Sequence, residues 1–291
     1  MKGKNILIFG ATGMIGRTVF RYLQSLYPET VWGTTRNETE INAKKLLLTV
    51  ENYQDNFAQI KKRVKYVDLI INCIGILKDT CTRKELIIVN ALFPHQLEEL
   101  VEKYGCKLIH ISTDAVFSPL VGKVNESSSP SPVDYYGNSK LLGETVSKNA
   151  ITFRSSFIGF NPAKRKGLLE QVRQQKGTFY GYTNQIWTGC TALQFAKLCK
   201  QLAADKFFIK LRKISPVYHF APIGPISKYK LVKTFTKIDN GNYSLKKISN
   251  TKINRILTTN YIRELAINNY TNDSEKAIKE LIEFEERFIG L

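Results

Sequence analysis

Histidine is scarce in this 291-residue chain: His95, His110 and His219 are the whole set. No His-x-x-x-His pair or Asp/Glu cluster has metal-ligand spacing, so no metal centre is expected. Cys73, Cys81, Cys106, Cys190 and Cys199 are odd in number, irregularly spaced and free of Cys-x-x-Cys. That excludes a disulfide scaffold or zinc ribbon and reads as reduced thiols in a cytoplasmic protein. No run of 18 apolar residues occurs, so no membrane span is expected, and the opening residues lack the apolar core of a signal peptide. There is no Gly-x-Ser-x-Gly nucleophile elbow and no internal repeat.

Acid is the other shortage, and it is local. Residues 151–263 hold 21 Lys+Arg against Glu170, Asp205 and Asp239, whereas residues 1–150 hold 19 against 15. The whole chain carries +18. Such an excess suits a diphosphate-bearing ligand or a polyanion. The bases are scattered and form no arm, so solvated lysines account for many of them, and nucleic-acid binding is not expected.

What is present reads as α/β. The apolar fraction of 43% predicts a packed core. Residues 4–9 form an apolar run, Gly10-Ala-Thr-Gly13-Met-Ile-Gly16 follows, and residues 17–26 have helical spacing. Strand, Gly-x-x-Gly-x-x-Gly, helix is the order of a dinucleotide fingerprint, with a tight turn, close pyrophosphate approach and free N–H groups at the helix start. The second strand, residues 30–36, ends in Thr34-Thr35-Arg36 with no acid before Glu38. An Arg there suits the 2′-phosphate of NADP, although NADH is not excluded. Further strands are expected at residues 45–50, 67–71, 107–111 and 150–154, and helices at 53–64, 82–104 (interrupted by Pro94) and 134–147. Residues 118–132 read as a Ser/Pro-rich loop, and residues 161–166 as another. The expected architecture is a Rossmann-type doubly wound parallel sheet over residues 1–154, with a smaller C-terminal substrate-binding lobe over 155–291 that partly returns to the core.

Two stretches carry chemistry. Tyr136 and Lys140 are four apart on a predicted helix and share a face. A nearby ammonium favours phenolate, which would make Tyr136 a usable proton donor. Thr113, at the end of the fifth strand, can steady the same substrate oxygen. Together they suit carbonyl reduction by hydride transfer.

These residues also carry a resemblance. Gly10-x-x-Gly13-x-x-Gly16, Ser112-Thr113-Asp114-x-Val116-Phe117 and Tyr136-Gly137-x-Ser139-Lys140-x-x-Gly143-Glu144 resemble the extended short-chain dehydrogenases. Within them the chain is most similar to the dTDP-4-dehydrorhamnose reductase family, in its surface-polysaccharide branch. The resemblance implies that Tyr136 protonates the reduced oxygen and that Lys140 tunes it and holds the nicotinamide ribose. It implies that Thr12, Met14 and Ile15 join the three glycines around the pyrophosphate, with Cys73, Ile74 and Gly75 lining the cofactor. Thr113, Asp114, Phe157 and Trp187 would meet the sugar. Ala115 replaces the Tyr common in the rhamnose enzymes, which leaves the sugar open. The implied activity is NADPH-dependent reduction of a nucleotide-linked 4-keto-6-deoxyhexose. Alternatives are a UDP-N-acetyl-4-keto-6-deoxyhexose substrate, with or without epimerisation, and a non-catalytic NADP-binding regulatory subunit. A homodimer is compatible with either.

Overall fold

The computed structural model describes residues 3–78, 81–161, 167–239 and 243–289. Most of the loop expected at residues 161–166, its positions 162–166, lies outside them. The first half runs β1 (Ile6–Phe9), α1 (Met14–Leu26), β2 (Val31–Thr35), β3 (Lys45–Leu47), α2 (Tyr53–Val64), β4 (Leu69–Asn72), α3 (Arg83–Leu86), a π-helical segment (Ile87–Leu92), α4 (Phe93–Tyr104), β5 (Lys107–Ile111), β6 (Gly122–Val124), α5 (Tyr135–Leu142) and β7 (Ala150–Arg154). The second half runs β8 (Phe157–Ile158), α6 (Leu168–Gln174), β9 (Gly177–Tyr182), β10 (Gln185–Thr191), α7 (Ala192–Leu202), α8 (Asp205–Ile214), β11 (Val217–His219), β12 (Ile223–Ser227), α9 (Lys228–Asp239), β13 (Tyr243–Ile248), β14 (Ile253–Leu257) and α10 (Ser274–Ile289).

Seven parallel strands form the main sheet in the order β11-β7-β5-β4-β1-β2-β3. Strands covered on both faces need apolar residues at every position, which explains the unbroken Ile6-Leu7-Ile8-Phe9 run. Leu7 and Phe9 face Phe57 and Leu97 of α2 and α4, while Ile6 and Ile8 join Val19 and Phe195 of α1 and α7. The sheet is therefore doubly wound. Its strand order reverses between β1 and β4, which opens a crevice at their carboxyl ends.

The sheet crosses the boundary expected at residue 154. β11 supplies its seventh strand, and α7 packs along α1. A second sheet, β12-β10-β14-β6 with β8 beside β10, and the β9–β13 ribbon belong mainly to the later residues. Phe160, Val172, Leu231, Phe235 and Leu281 form a separate core under α6, α9 and α10. The 118–132 loop is not wholly a loop: its β6 is an edge of that second sheet, paired with β14. No helix among the described residues is long and apolar enough to cross a membrane.

Pro94 does not interrupt the helix. It has no N–H for the Asn90 carbonyl, and the chain absorbs this by widening: Phe93 N–H donates to Ile88 O, five residues back. The freed Asn90 carbonyl lies against Gly143, where a Cβ would stand 1.9 Å from that oxygen. This contact coincides with the end of α5, five residues short of the expected end at 147. The fully buried Asn90 side chain accepts from Ile76 N–H (3.0 Å) and donates to Ile76 O (2.9 Å) and Ser139 Oγ (3.2 Å). It thereby ties α5 to the chain leaving β4. Gly143→Ala is expected to lower stability by about 1–3 kcal/mol through overpacking, read as a lower urea midpoint at unchanged m-value. An unchanged midpoint would contradict the close contact.

Candidate active site

Gly10 closes β1 with φ +74°, and a Cβ there would stand 3.1 Å from Ile74 Cγ1. A Cβ on Gly16 would stand 2.2 Å from Gly10 O, so the turn and the first coil of α1 can meet only as glycine. Met14, Ile15 and Gly16 begin α1, where backbone N–H groups lack intrahelical acceptors, and no acidic side chain sits in that turn. The turn borders a cavity of about 300 Å³ lined by Gly10, Thr12, Gly13, Cys73, Ile74 and Gly75, with Arg36 and Glu51 also in its wall. A turn with no room for side chains, a positive helix end and a base beside β2 fit a dinucleotide diphosphate and its ribose phosphate.

A second cavity of about 620 Å³ shares Gly13, Cys73, Ile74 and Gly75 with the first, so the two adjoin at the glycine turn. Its walls include Met14, Ile15, Thr113, Tyr136, Lys140 and Phe157. β5 delivers Thr113, and Asp134 fixes the start of α5 by accepting from Gly137 N–H at 2.8 Å. Thr113 Oγ1 accepts from Ala115 N–H (3.1 Å) and donates to Asp114 Oδ1 (3.2 Å), and it stands beside Tyr136 in the cavity wall.

Lys140 is 4% exposed, and its Nζ donates to Ile111 O at 2.6 Å. Burial lowers its pKa to about 8, against the raising influence of Glu144. Burial pushes the Tyr136 phenol up to about 12; the Thr113 hydroxyl opposes this, while Asp114 and Asp134 add to it. The expectation that Lys140 lowers the phenol needs correction. The cation among the leading influences is Arg255, and Lys140 is turned onto a strand carbonyl.

Behind the cavity, Glu144 receives Arg154 through two bonds of 2.7 Å and Ser112 Oγ through one of 2.7 Å. Arg154 Nη1 lies 3.4 Å from His219 Nε2, and His219 Nδ1 lies 2.9 Å from Thr258 O. A carbonyl only accepts, so Nδ1 carries the proton and Nε2 accepts from Arg154. Burial lowers the His219 pKa first, and the charge of Arg154 adds to that. His110 is fully buried against Asn72 Nδ2 at 3.1 Å. Among the described residues no group of three His, Cys, Asp or Glu could hold a metal ion.

Three expected site residues lie elsewhere. Trp187 is 8% exposed, stands in the second core and donates from Nε1 to Ser156 Oγ at 2.8 Å, one layer behind the wall that Ser156 lines. Gly16 packs under the turn and borders neither cavity. Asp114 is likewise outside both walls, paired with Arg255 at 2.8 Å. Sequence reasoning missed Ser155 and Ser156 in the wall, and Arg255 beside it. Arg154-Ser155-Ser156 at a strand end was the available signal for the serines; Arg255 had none.

The RmlD substrate binding domain matches residues 4–265. The probable low-salt glycan biosynthesis reductase Agl14 of Haloferax volcanii is 29% identical over 160 residues, 52% of each chain. Methionine adenosyltransferase 2 subunit beta of Xenopus tropicalis is 26% identical over 152 residues, 49% of this chain and 42% of that one. The chain thus spans about half the length of the curated relatives it matches. The dTDP-4-dehydrorhamnose reductase of Bacillus anthracis in complex with NADP superposes with a TM-score of 0.73 over 97% of this chain and 99% of that one, at 19% identity, a likeness of fold. With a family match running from the first strand to residue 265, this chain belongs to the RmlD substrate binding domain family.

Proposed function

We propose that the chain is an NADPH-dependent reductase of a nucleotide-linked 4-keto-6-deoxyhexose. The observation that carries this reading is the meeting of Thr113, Tyr136 and Lys140 in one cavity that Gly13 of the glycine turn also lines. NADP in the complex of the Bacillus anthracis reductase, and the reductase name of the Haloferax relative, support it.

NADPH held by the glycine turn, with Arg36 at its 2′-phosphate, would supply the hydride; NADH fits the same turn without using Arg36. The rest of the chemistry belongs to side chains. Tyr136 holds its proton firmly, with a pKa near 12, and gives it up only to a stronger base. The alkoxide forming at the reduced carbon is such a base. Thr113 steadies that oxygen; Arg255, the cation that favours the phenolate, offsets part of the cost of the charge left on Tyr136, and the Lys140 ammonium, with a pKa near 8, stays mostly charged at neutral pH in the same cavity. The base-rich second half of the chain supplies positive charge for the substrate diphosphate.

A second reading is a cofactor-binding regulatory subunit, favoured by the likeness to methionine adenosyltransferase 2 subunit beta. Copurification of a partner enzyme, with no NADPH oxidation on any keto sugar, would select it. The reductase reading predicts NADPH oxidation with at least one of a panel of dTDP- and UDP-4-keto-6-deoxy sugars. Tyr136→Phe should then lose about 10²- to 10⁴-fold in turnover while keeping NADPH affinity. Substantial residual turnover removes Tyr136 from the acid role.

Lys140 also sets a pH dependence of stability. Its folded pKa of about 8 lies below the ordinary value of 10.5, so between those values the folded chain holds fewer protons than the unfolded one. Stability from this group therefore rises with pH across that window, and the full cost of the buried charge is borne below pH 8. Lys140→Met should accordingly gain most in melting temperature over the parent below pH 8, the gain shrinking toward pH 10.5. A pH-independent difference would show that Lys140 is not desolvated.

A further inference from the structure

Ser156 lines the second cavity, and its hydroxyl is only half used. Trp187 Nε1 donates to Ser156 Oγ at 2.8 Å. An indole N–H only donates, so Ser156 is the acceptor. Its own proton cannot point at the N–H that donates to it, and no described residue accepts that proton. Trp187 stands in the second core and lines neither cavity, so the Ser156 proton turns away from that core, to the cavity side. Ser155 offers a contrast. It also borders the cavity, but its Oγ donates inward to Phe220 O at 2.6 Å, so its proton is committed to the fold.

β10 builds this arrangement. Cys190 N–H donates to Ser156 O at 3.0 Å, and Cys190 pairs in register with Phe157. A Cβ on Gly189 would collide with Ser156 O and stand 2.6 Å from Trp187 Cζ2, so glycine alone lets the indole lie across this strand end. One strand thus fastens both the backbone and the hydroxyl of Ser156. Accepting the indole bond also polarises the hydroxyl and makes it the better donor.

We propose that Ser156 is a specificity-determining residue: its O–H donates to an acceptor oxygen of the bound sugar, and Trp187 is the positioning residue that fixes it as a donor. This rests on the reductase reading. The sugar is favoured over the cofactor because Ser156 borders the second cavity and not the first, and the wall continues from it through Phe157, Ile158 and Leu168.

The test reads both links. The chain has two tryptophans, so ¹⁵N-indole labelling gives two side-chain signals. That of Trp187 is the one lost in Trp187→Phe, or the one kept in Trp32→Phe. Ser156→Ala should move the Trp187 indole proton upfield, since it loses its acceptor. In the NADPH-loaded parent, an unreactive dTDP- or UDP-linked 6-deoxyhexose should move it downfield; in Ser156→Ala the same addition should leave it in place. With a keto sugar that the parent reduces, Ser156→Ala should raise sugar KM about 5- to 20-fold, with kcat within about threefold and NADPH affinity within about twofold. Trp187→Phe should raise KM less, and adding it to Ser156→Ala should raise KM no further. An unchanged sugar KM in Ser156→Ala overturns the proposal. So does a loss of NADPH affinity in its place, which would give the Ser156 proton to the nicotinamide carboxamide. Additive losses from the two substitutions, or an indole signal that Ser156→Ala does not move, overturn the positioning role of Trp187. If the parent reduces none of the keto sugars, the reductase reading falls and the sugar assignment with it; if it reduces one and Ser156→Ala is silent, this proposal falls alone.

Discussion

Burying the Lys140 ammonium is the constraint on which the rest of the site depends. A charge removed from water must find compensation, and Lys140 finds it in the Ile111 carbonyl at the end of β5 and in the field of Glu144. Both demands shape the fold around them. Glu144 can serve only if it is itself held, and Arg154 of β7 and Ser112 hold it. α5 must lie close enough to β5 for a lysine to reach the strand carbonyl. The glycine contact between Gly143 and Asn90 O, and the Asn90 side chain on Ser139 and Ile76, bring it there. The π-helical segment that frees Asn90 thus helps to set the position of Lys140, although it lies a full element away.

The two halves of the chain meet at this site and are not simply joined in series. β11 completes the main sheet, β14 sends Arg255 back to Asp114, and β6 leaves the first half to edge the second sheet. The turn that follows Thr113 in one half is therefore held by a residue of the other. The cavity wall draws on both halves, with Thr113, Tyr136 and Lys140 from the first and Ser156, Phe157 and Leu168 from the second. A ligand seated there would contact both halves.

Much of this was legible in the residues. The doubly wound core showed itself because strands buried on both faces leave continuous apolar runs, and β5, β7 and α2 fall at the expected positions. The glycine turn was legible because its spacing records two backbone approaches that no side chain can share. Other features were hidden for physical reasons. β6, β12 and β14 are short and half-buried, β13 is largely exposed, and the four carry Lys, Ser, Asn and Arg, so their alternation is weak. Trp187 could not be placed, since an aromatic residue reads alike whether it lines a cavity or stands one layer behind it. Nor could the Lys140–Tyr136 relation be read from i, i+4 spacing, which puts both on one face but cannot tell which acceptor the ammonium chooses. Arg255 lies 141 residues from Asp114, beyond any local pattern.

The central claim is that a hydride enters the sugar at this cavity and that the proton comes from Tyr136. The most direct measurement is reduction of the keto sugar by NADPH deuterated at the transferring position of nicotinamide carbon 4, with the product read by NMR. The account predicts deuterium at sugar carbon 4 in a single configuration in the parent protein, and no such product from Tyr136→Phe on the same timescale. Deuterium retained on the nicotinamide while the sugar is converted, or equal labelling from Tyr136→Phe, would contradict it.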